Sequence, residues 1–328
     1  MCIRDSSSPI LYINENGFKK YYIKEEIINK VNVISKYLRS IGVKKGDRII
    51  GVVSNNAETL ISFLAVNSIG AIWSSCSPDF GEQAILDRFN QIEPKILFYS
   101  SNYVYGGKKF EILKKIKSIE SVLNTLEESI CIDTSENDKS FVDKKLNDYE
   151  ENNKDLADLF FERCNFNDPM YILYSSGTTG KPKCILHNTG GPLIQHLKEQ
   201  QLHGDISEND KLFYFTTCGW MMWNWLISGL ASKATIVLYE GSPFFPKQDS
   251  LFKLAEEEGI TCFGTSAKFI DALRNNQIQI SNNFNLTKLK TILSTGSPLV
   301  SESFEYVYRN IKKDVHLASI SGGTDIVR

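Results

Sequence analysis

Apolar positions along the chain switch between helical and strand spacing. Ile27, Ile28, Val31, Ile34, Leu38 and Ile41 recur every three or four residues and predict a helix stopped by Gly42. An apolar run over 48–53 predicts a strand. Ser54, Asn55 and Asn56 then offer N-caps for a helix carrying Leu60, Ile61, Leu64 and Ile69. Strands are expected over 71–73 and 95–99, with a helix over 80–92 between them. From residue 166 the alternation resumes. Strands are expected over 170–174, 184–187, 211–216, 234–239, 260–263, 290–294 and 315–320. Helices are expected over 191–201, 251–258, 267–273 and 302–311, together with a tryptophan-rich helix after the strand at 211–216. Such alternation predicts an α/β protein with mostly parallel sheets covered by helices.

Two α/β lobes are expected, 9–165 and 166–328, with a solvated polar insertion near 133–154. Residues 1–8 join poorly to the apolar run after them and read as a non-native scar. The abrupt end after Arg328 reads as a fragment.

Composition narrows the class only by exclusion. Of 328 residues, 42% are hydrophobic and 23% charged, as in ordinary globular proteins. A net charge of -2 leaves no electrostatic footprint for nucleic acid or an anionic membrane. Seven scattered cysteines without a Cys-x-x-Cys pair predict free thiols, not disulfides or a zinc site. The apolar stretch 220–239 is interrupted by Asn224, Ser228, Ser232 and Lys233, which argues against a membrane span. The start lacks a secretory signal, so a cytoplasmic location is expected.

Chemistry concentrates at 174–183. Ser175, Ser176, Gly177, Thr178, Thr179, Gly180, Lys181 and Lys183 come directly after an apolar strand. Hydroxyls and closely approached backbone N–H groups can surround phosphate oxygens, and the lysines add charge. The glycine spacing is wrong for a Walker A loop, and Pro182 follows Lys181. A second strand, not a helix, is expected after the loop. A flexible Gly/Ser/Thr turn is the alternative reading.

Three further stretches follow strands, where open α/β sheets bind ligands. Gly296, Ser297 and Pro298 form a flat turn able to line a base, though an ordinary turn looks identical. Ser321, Gly322, Gly323, Thr324 and Asp325 combine free backbone with a hydroxyl and a carboxylate, suited to phosphate and Mg²⁺ or to a capped turn. Trp220, Met221, Met222, Trp223 and Trp225 are costly to expose and serve as core or as a pocket wall. His187 reads as a hydrogen-bonded core histidine, and the cysteines near these loops carry no expected chemistry.

The 174–183 stretch resembles the phosphate-loop signature of the adenylate-forming superfamily: acyl-CoA synthetases, luciferases and peptide-synthetase adenylation domains. The stretches 219–230 and 318–327 are similar to the acetoacetyl-CoA synthetase family, and the likeness runs from about residue 10 to 328. That resemblance implies the large N-terminal domain of such an enzyme, incomplete and without its C-terminal lid. It implies ATP, Mg²⁺ and CoA, and acetoacetate as the acid. By resemblance, 175–181 and Lys183 hold phosphates and Gly296, Ser297 and Pro298 pack on adenine. Thr324 contacts the α-phosphate and Asp325 holds Mg²⁺, a position more often occupied by Glu in the superfamily. Trp220, Met221, Met222, Gly322 and Gly323 line the acid pocket. Gly322 stands where acetyl-CoA synthetases carry a tryptophan, which implies room for a longer acid. The stretch 73–80 has its counterpart near the CoA entrance. Two alternatives stand: a ligase for another short acid, and a non-catalytic nucleotide-binding protein. The lobes alone are expected to be nearly inactive.

Overall fold

The computed structural model describes residues 9–134, 140–153, 158–175 and 180–327. Their strands form two large sheets. A seven-stranded sheet runs His316–Ser319, Thr291–Thr295, Cys262–Ser266, Lys211–Tyr214, Thr235–Glu240, Ile10–Asn14 and Lys19–Tyr22. A six-stranded sheet runs Cys184–Asn188, Pro169–Tyr174, Ile72–Cys76, Arg48–Val52, Ile96–Tyr99 and Glu128–Cys131. Pairing is parallel except at one edge of each sheet, where Lys19–Tyr22 and Cys184–Asn188 run antiparallel. A small hairpin, Asn102–Tyr105 with Lys108–Glu111, stands apart.

Strand side chains point alternately to the two faces, and this sorts the core. Ile49, Ile96, Phe98, Tyr171 and Leu173 of one sheet share a buried cluster with Ile10, Leu212, Tyr214, Ile236 and Leu238 of the other. Helices Lys24–Ser40, Ala57–Ser68 and Met221–Ile227 contribute to the same cluster, so they form a layer between the sheets. The alternate residues Leu11, Phe213, Val237 and Phe263 pack outward on helices Ser250–Glu258, Ala267–Asn275 and Ser301–Tyr306. Ile50, Val52, Leu97 and Ile172 pack on helices Glu82–Phe89 and Leu113–Val122. The result is five layers, helix–sheet–helix–sheet–helix. Strands buried on both faces explain the continuous apolar runs.

Two expectations are corrected. A cut near residue 165 does not separate the sheets. Ile10–Asn14 pairs with Thr235–Glu240, from Ile10 opposite Ile236 to Asn14 opposite Glu240. In return, Trp73 pairs with Tyr171 and brings Pro169–Tyr174 beside Ile72–Cys76. Each half of the chain completes the other's sheet. Local pattern marks a strand but not which distant edge it joins.

Part of the polar stretch 133–154, expected as a solvated insertion, packs on the fold. Phe141 is buried, and Thr134 and Phe141 form a bridge. Asp143 accepts from Lys145 N at 2.9 Å and caps a helix, Lys144–Asn152. Leu146 is fully buried, and the Tyr149 ring meets Tyr37 of helix Lys24–Ser40 edge-on at 5.5 Å. A few apolar contacts dock a helix on an existing core, although its composition is polar.

The expected elements otherwise recur with shifted ends. Gly259, at φ +64°, closes Ser250–Glu258 in the left-handed region. The helix expected over 191–201 is Gly191–Leu197 continued by a wider turn, Lys198–His203.

Candidate functional site

The C-terminal ends of strands from both sheets meet at a seam. Cys218 and Trp220 lie on it because the segment before helix Met221–Ile227 docks on the other sheet. Ser75 Oγ donates to Cys218 O at 2.7 Å, and Cys218 Sγ to Ser54 O at 3.3 Å. Gly219 approaches Cys76 and Ser77, with its Cβ position 3.6 Å from the Ser77 backbone nitrogen. A small cavity of about 80 Å³ lies here, between Asn55, Ser77, Tyr103, Thr217 and Glu240. The stretch 73–80 therefore splits. Trp73 is fully buried in strand Ile72–Cys76, and residues 77–80 turn along the seam.

The loop read as a phosphate cradle connects two strands, as expected, and these run antiparallel. Ser175 N donates to Lys183 O at 3.0 Å, and Lys183 N to Ser175 Oγ at 3.1 Å. No helix N-terminus follows the loop directly; the next element is strand Cys184–Asn188. Ser176, Gly177, Thr178 and Thr179 lie outside the described residues. A Cβ at Gly180 would meet nothing within 4 Å, and Lys183 is exposed. The Lys181 side chain is 75% exposed, with Nζ 3.9 Å from Asp87. Gln91 steadies the exit by donating to Pro182 O at 2.8 Å.

On the seven-stranded sheet, two loops leave neighbouring strands. Gly296, at φ +88°, and exposed Pro298 follow Thr291–Thr295, with Ser297 half-buried between them. Ser321, Gly322 and Gly323 follow His316–Ser319, and Thr324–Ile326 forms a single tight turn. The strands pair Ser294 with Ser319, and Ile320 N donates to Ser294 O at 2.7 Å. The candidate adenine turn and the Thr324–Asp325 turn therefore rise from adjacent strands. Asp325 is exposed and Thr324 half-buried.

Two histidines lie between this turn and strand Cys184–Asn188. His187, in that strand, is buried against the Tyr171 ring at 5.2 Å, and its Nε2 has no hydrogen-bond partner among the described residues. Burial lowers its pKa, while the Thr324 backbone and the Asp325 carboxylate act in the opposite sense. His196 Nε2 lies 3.1 Å from Val327 O and donates to it. Burial pushes the His196 pKa down to about 4.

The tryptophan cluster divides as its two readings allow. Trp223 and Trp225 are buried in the core, and Trp220 is 57% exposed on the seam. Met221 and Met222 are buried. A cavity of about 320 Å³ beside Ser321 is lined by Trp225, Leu293, Ala318 and Ile320; Met221, Met222 and Gly322 are not on its wall. A larger cavity of about 690 Å³ opens between helices Lys24–Ser40, Ala57–Ser68 and Gly191–Leu197. It includes none of the residues read as phosphate, adenine or acid contacts.

Cys76, Cys131, Cys164, Cys184, Cys218 and Cys262 are free. Burial raises the thiol pKa of Cys76, Cys131 and Cys262 to about 12, which leaves them inert at neutral pH. Among the described residues, no group of three or more His, Cys, Asp or Glu could hold a metal ion by itself. Among them too, no helix is long and apolar enough to cross a membrane.

A family model described as AMP-binding enzyme matches residues 25–320. The chain belongs to this family. Within it, this AMP-binding chain is 45% identical to an acetoacetyl-coenzyme A synthetase of Rhizobium meliloti over 331 aligned residues, covering 98% of this chain and 50% of the relative. It is 44% identical to an acetoacetyl-CoA synthetase of Gallus gallus, covering 99% and 50%. The solved acetoacetyl-CoA synthetase from Streptomyces lividans superposes with a TM-score of 0.89 at 37% identity, over 98% of this chain and 50% of that one. The AMP-binding chain spans about half the length of the curated relatives it matches.

Sequence reasoning missed the residues that join the seam. Asn55 was one of three N-cap candidates, but Asn56 is the cap, accepting from Thr59 N at 2.9 Å. Asn55 turns inward instead. Glu15 and His196 carried no signal, since their partners lie far along the chain.

Proposed function

We propose that the chain carries the ATP- and acid-binding half of an acetoacetate–CoA ligase that works through an acyl-adenylate. One observation carries this reading beyond the family: the hairpin of Ser175 and Lys183 leads into strand Cys184–Asn188, and His196 of the next helix bonds Val327 O at the end of the Thr324–Asp325 turn. In this reading the acid's carboxylate attacks the α-phosphorus of ATP and pyrophosphate leaves. The CoA thiol then attacks the carbonyl and AMP leaves. No protein nucleophile is required, so the residues act by position and charge.

Ser175, Gly180, Lys181 and Lys183, with 176–179, hold the phosphates. Gly296, Ser297 and Pro298 pack on adenine, and Thr324 meets the α-phosphate. Mg²⁺ beside a nucleotide typically takes one or two protein carboxylates and completes its shell with phosphates and water. The exposed, lone Asp325 fits that donor set. When bound, the ion neutralises phosphate charge. Trp220, Met221, Met222, Gly322 and Gly323 shape the acid site, with Gly322 leaving space for an acid longer than acetate.

The test is acid-dependent ATP–pyrophosphate exchange by the whole protein with acetate, propionate, butyrate, acetoacetate and 3-hydroxybutyrate. Strong preference for acetoacetate supports the reading. Preference for another acid keeps the mechanism and replaces the substrate. Absence of exchange with every acid in folded protein overturns the ligase reading.

A further inference from the structure

The hydrogen bonds of the last loop change sides along its length. Up to Ile320 they belong to the loop's own sheet: Ile320 N donates to Ser294 O at 2.7 Å, and Thr295 Oγ1 donates to Ile320 O at 3.3 Å. Within the turn the bonds are local, from Ile326 N to Gly323 O at 3.2 Å and from Val327 N to Thr324 O at 3.4 Å. Its contacts to the rest of the molecule come from the other sheet's side. His196 Nε2 donates to Val327 O at 3.1 Å. Val327 is buried in the cluster between the sheets, whereas Asp325 and Ile326 are exposed.

His196 comes soon after the phosphate hairpin. Strand Cys184–Asn188 begins at that hairpin, and His196 is in helix Gly191–Leu197, the next element along the chain, where it is 2% exposed. A carbonyl only accepts, so the Val327 contact fixes the proton on His196 Nε2. A buried donor of fixed direction sets the carbonyl's position more strictly than water would.

We propose that His196 is a positioning residue that holds the Thr324–Val327 turn in register with the phosphate hairpin, so that Thr324 and Asp325 meet the same nucleotide the hairpin binds. Its ring does not touch the reacting atoms. The two strand-end loops belong to different sheets, and sheets can slide by fractions of an ångström. A bridge anchored in one and bonded to the other removes that freedom where misplacement by about 1 Å costs about a hundredfold in rate. This inference rests on the ligase reading for what the turn does, but not for what holds it.

The experiment uses the whole protein and the variants His196→Leu and His196→Gln. Leucine fills the space without a donor, and glutamine keeps one. Two quantities are read: amide hydrogen exchange over 320–327, and kcat and KM for ATP in acid-dependent pyrophosphate exchange. His196→Leu is expected to speed amide exchange at 324–327 at least about tenfold, leaving 291–295 unchanged. The same variant is expected to lower kcat at least about tenfold with KM for ATP within about threefold, and His196→Gln to recover most of both. Unchanged amide exchange in His196→Leu overturns the proposal. So does faster exchange with unchanged kcat, which would make the histidine merely structural. Wild-type protein inert toward every acid overturns the ligase reading, and with it the role assigned to the turn. That failure is recognisable because it precedes any variant.

Discussion

The indole Nε1 of Trp223 donates to Asn55 Oδ1 at 3.0 Å, and both residues are buried between the two sheets. Asn55 spends its two amide protons on Thr216 O and Tyr239 O, each at 3.3 Å. A side chain from the six-stranded sheet's loop thus satisfies three groups of the other sheet's elements. Trp223→Phe is expected to destabilise the protein by about 2–3 kcal/mol, through lost volume and an unpaired buried amide oxygen. Asn55→Ala should cost a similar amount. Urea unfolding of both single variants and the double variant checks this, with a coupling above about 0.5 kcal/mol expected.

Glu15 anchors the small hairpin. Its carboxylate accepts from Gly106 N at 2.9 Å, Gly107 N at 2.7 Å and Ser242 N at 2.7 Å. Glu15→Ala leaves these donors without their acceptor, and a loss of about 2–4 kcal/mol is expected. Amide exchange should localise the effect to 102–111 and 241–242.

His196 couples stability to pH. Its folded pKa is pushed from the ordinary 6.5 down to about 4, chiefly by burial, with nearby His187 adding to the shift. The unfolded chain therefore binds a proton between these values that the folded chain refuses. Stability from this group is complete above about pH 6.5 and declines as pH falls toward 4, by up to about 3 kcal/mol. His196→Gln should flatten that decline in denaturant titrations at pH 7 and pH 5. An equal slope in the variant would assign the effect elsewhere.

On the ligase reading proposed above, Lys183→Ala and Lys181→Ala are expected to weaken MgATP binding about tenfold or more each, because each would lose a charged hydrogen bond to phosphate. Both lysines are exposed, so the melting temperature should stay nearly unchanged. Calorimetric titration with MgATP, beside a thermal melt, separates the two effects. Equal affinity in both variants would remove these lysines from the phosphate site.

On the ligase reading proposed above, Gly322→Trp should shorten the acid accepted. Refilling the space left by glycine is expected to shift pyrophosphate exchange from acetoacetate toward acetate by at least about 10-fold, since one methylene in an apolar pocket commands about 10–200-fold and these acids differ by more than one. Exchange ratios for the two acids give the answer directly.

Phe160, Phe161, Phe166, Leu186, Ile194 and Leu202 are exposed on the chain's surface. Exposed apolar surface favours association. Sedimentation of residues 1–328 is expected to show concentration-dependent self-association, weakened by Ile194→Lys with Leu202→Lys.

Much of this protein was legible in sequence order. Period-2 and period-3.6 spacing located most strands and helices of the alternating lobes, because a side chain's face is set locally by backbone geometry. The dense pattern at 174–183 and the Gly-rich stretch ending in Asp325 marked the candidate loops, because phosphate chemistry demands particular residue types close together. Tertiary structure decided which strands share a sheet. Ile10–Asn14 joins Thr235–Glu240 more than two hundred residues away, and Trp73 meets Tyr171. It also decided that Leu146 and Tyr149, in a polar stretch, dock on helix Lys24–Ser40, and that Asn55, Glu15 and His196 act across the seam. Hydrogen bonding and burial at such sites depend on what folding brings near, and neighbouring residues in the chain carry no record of it.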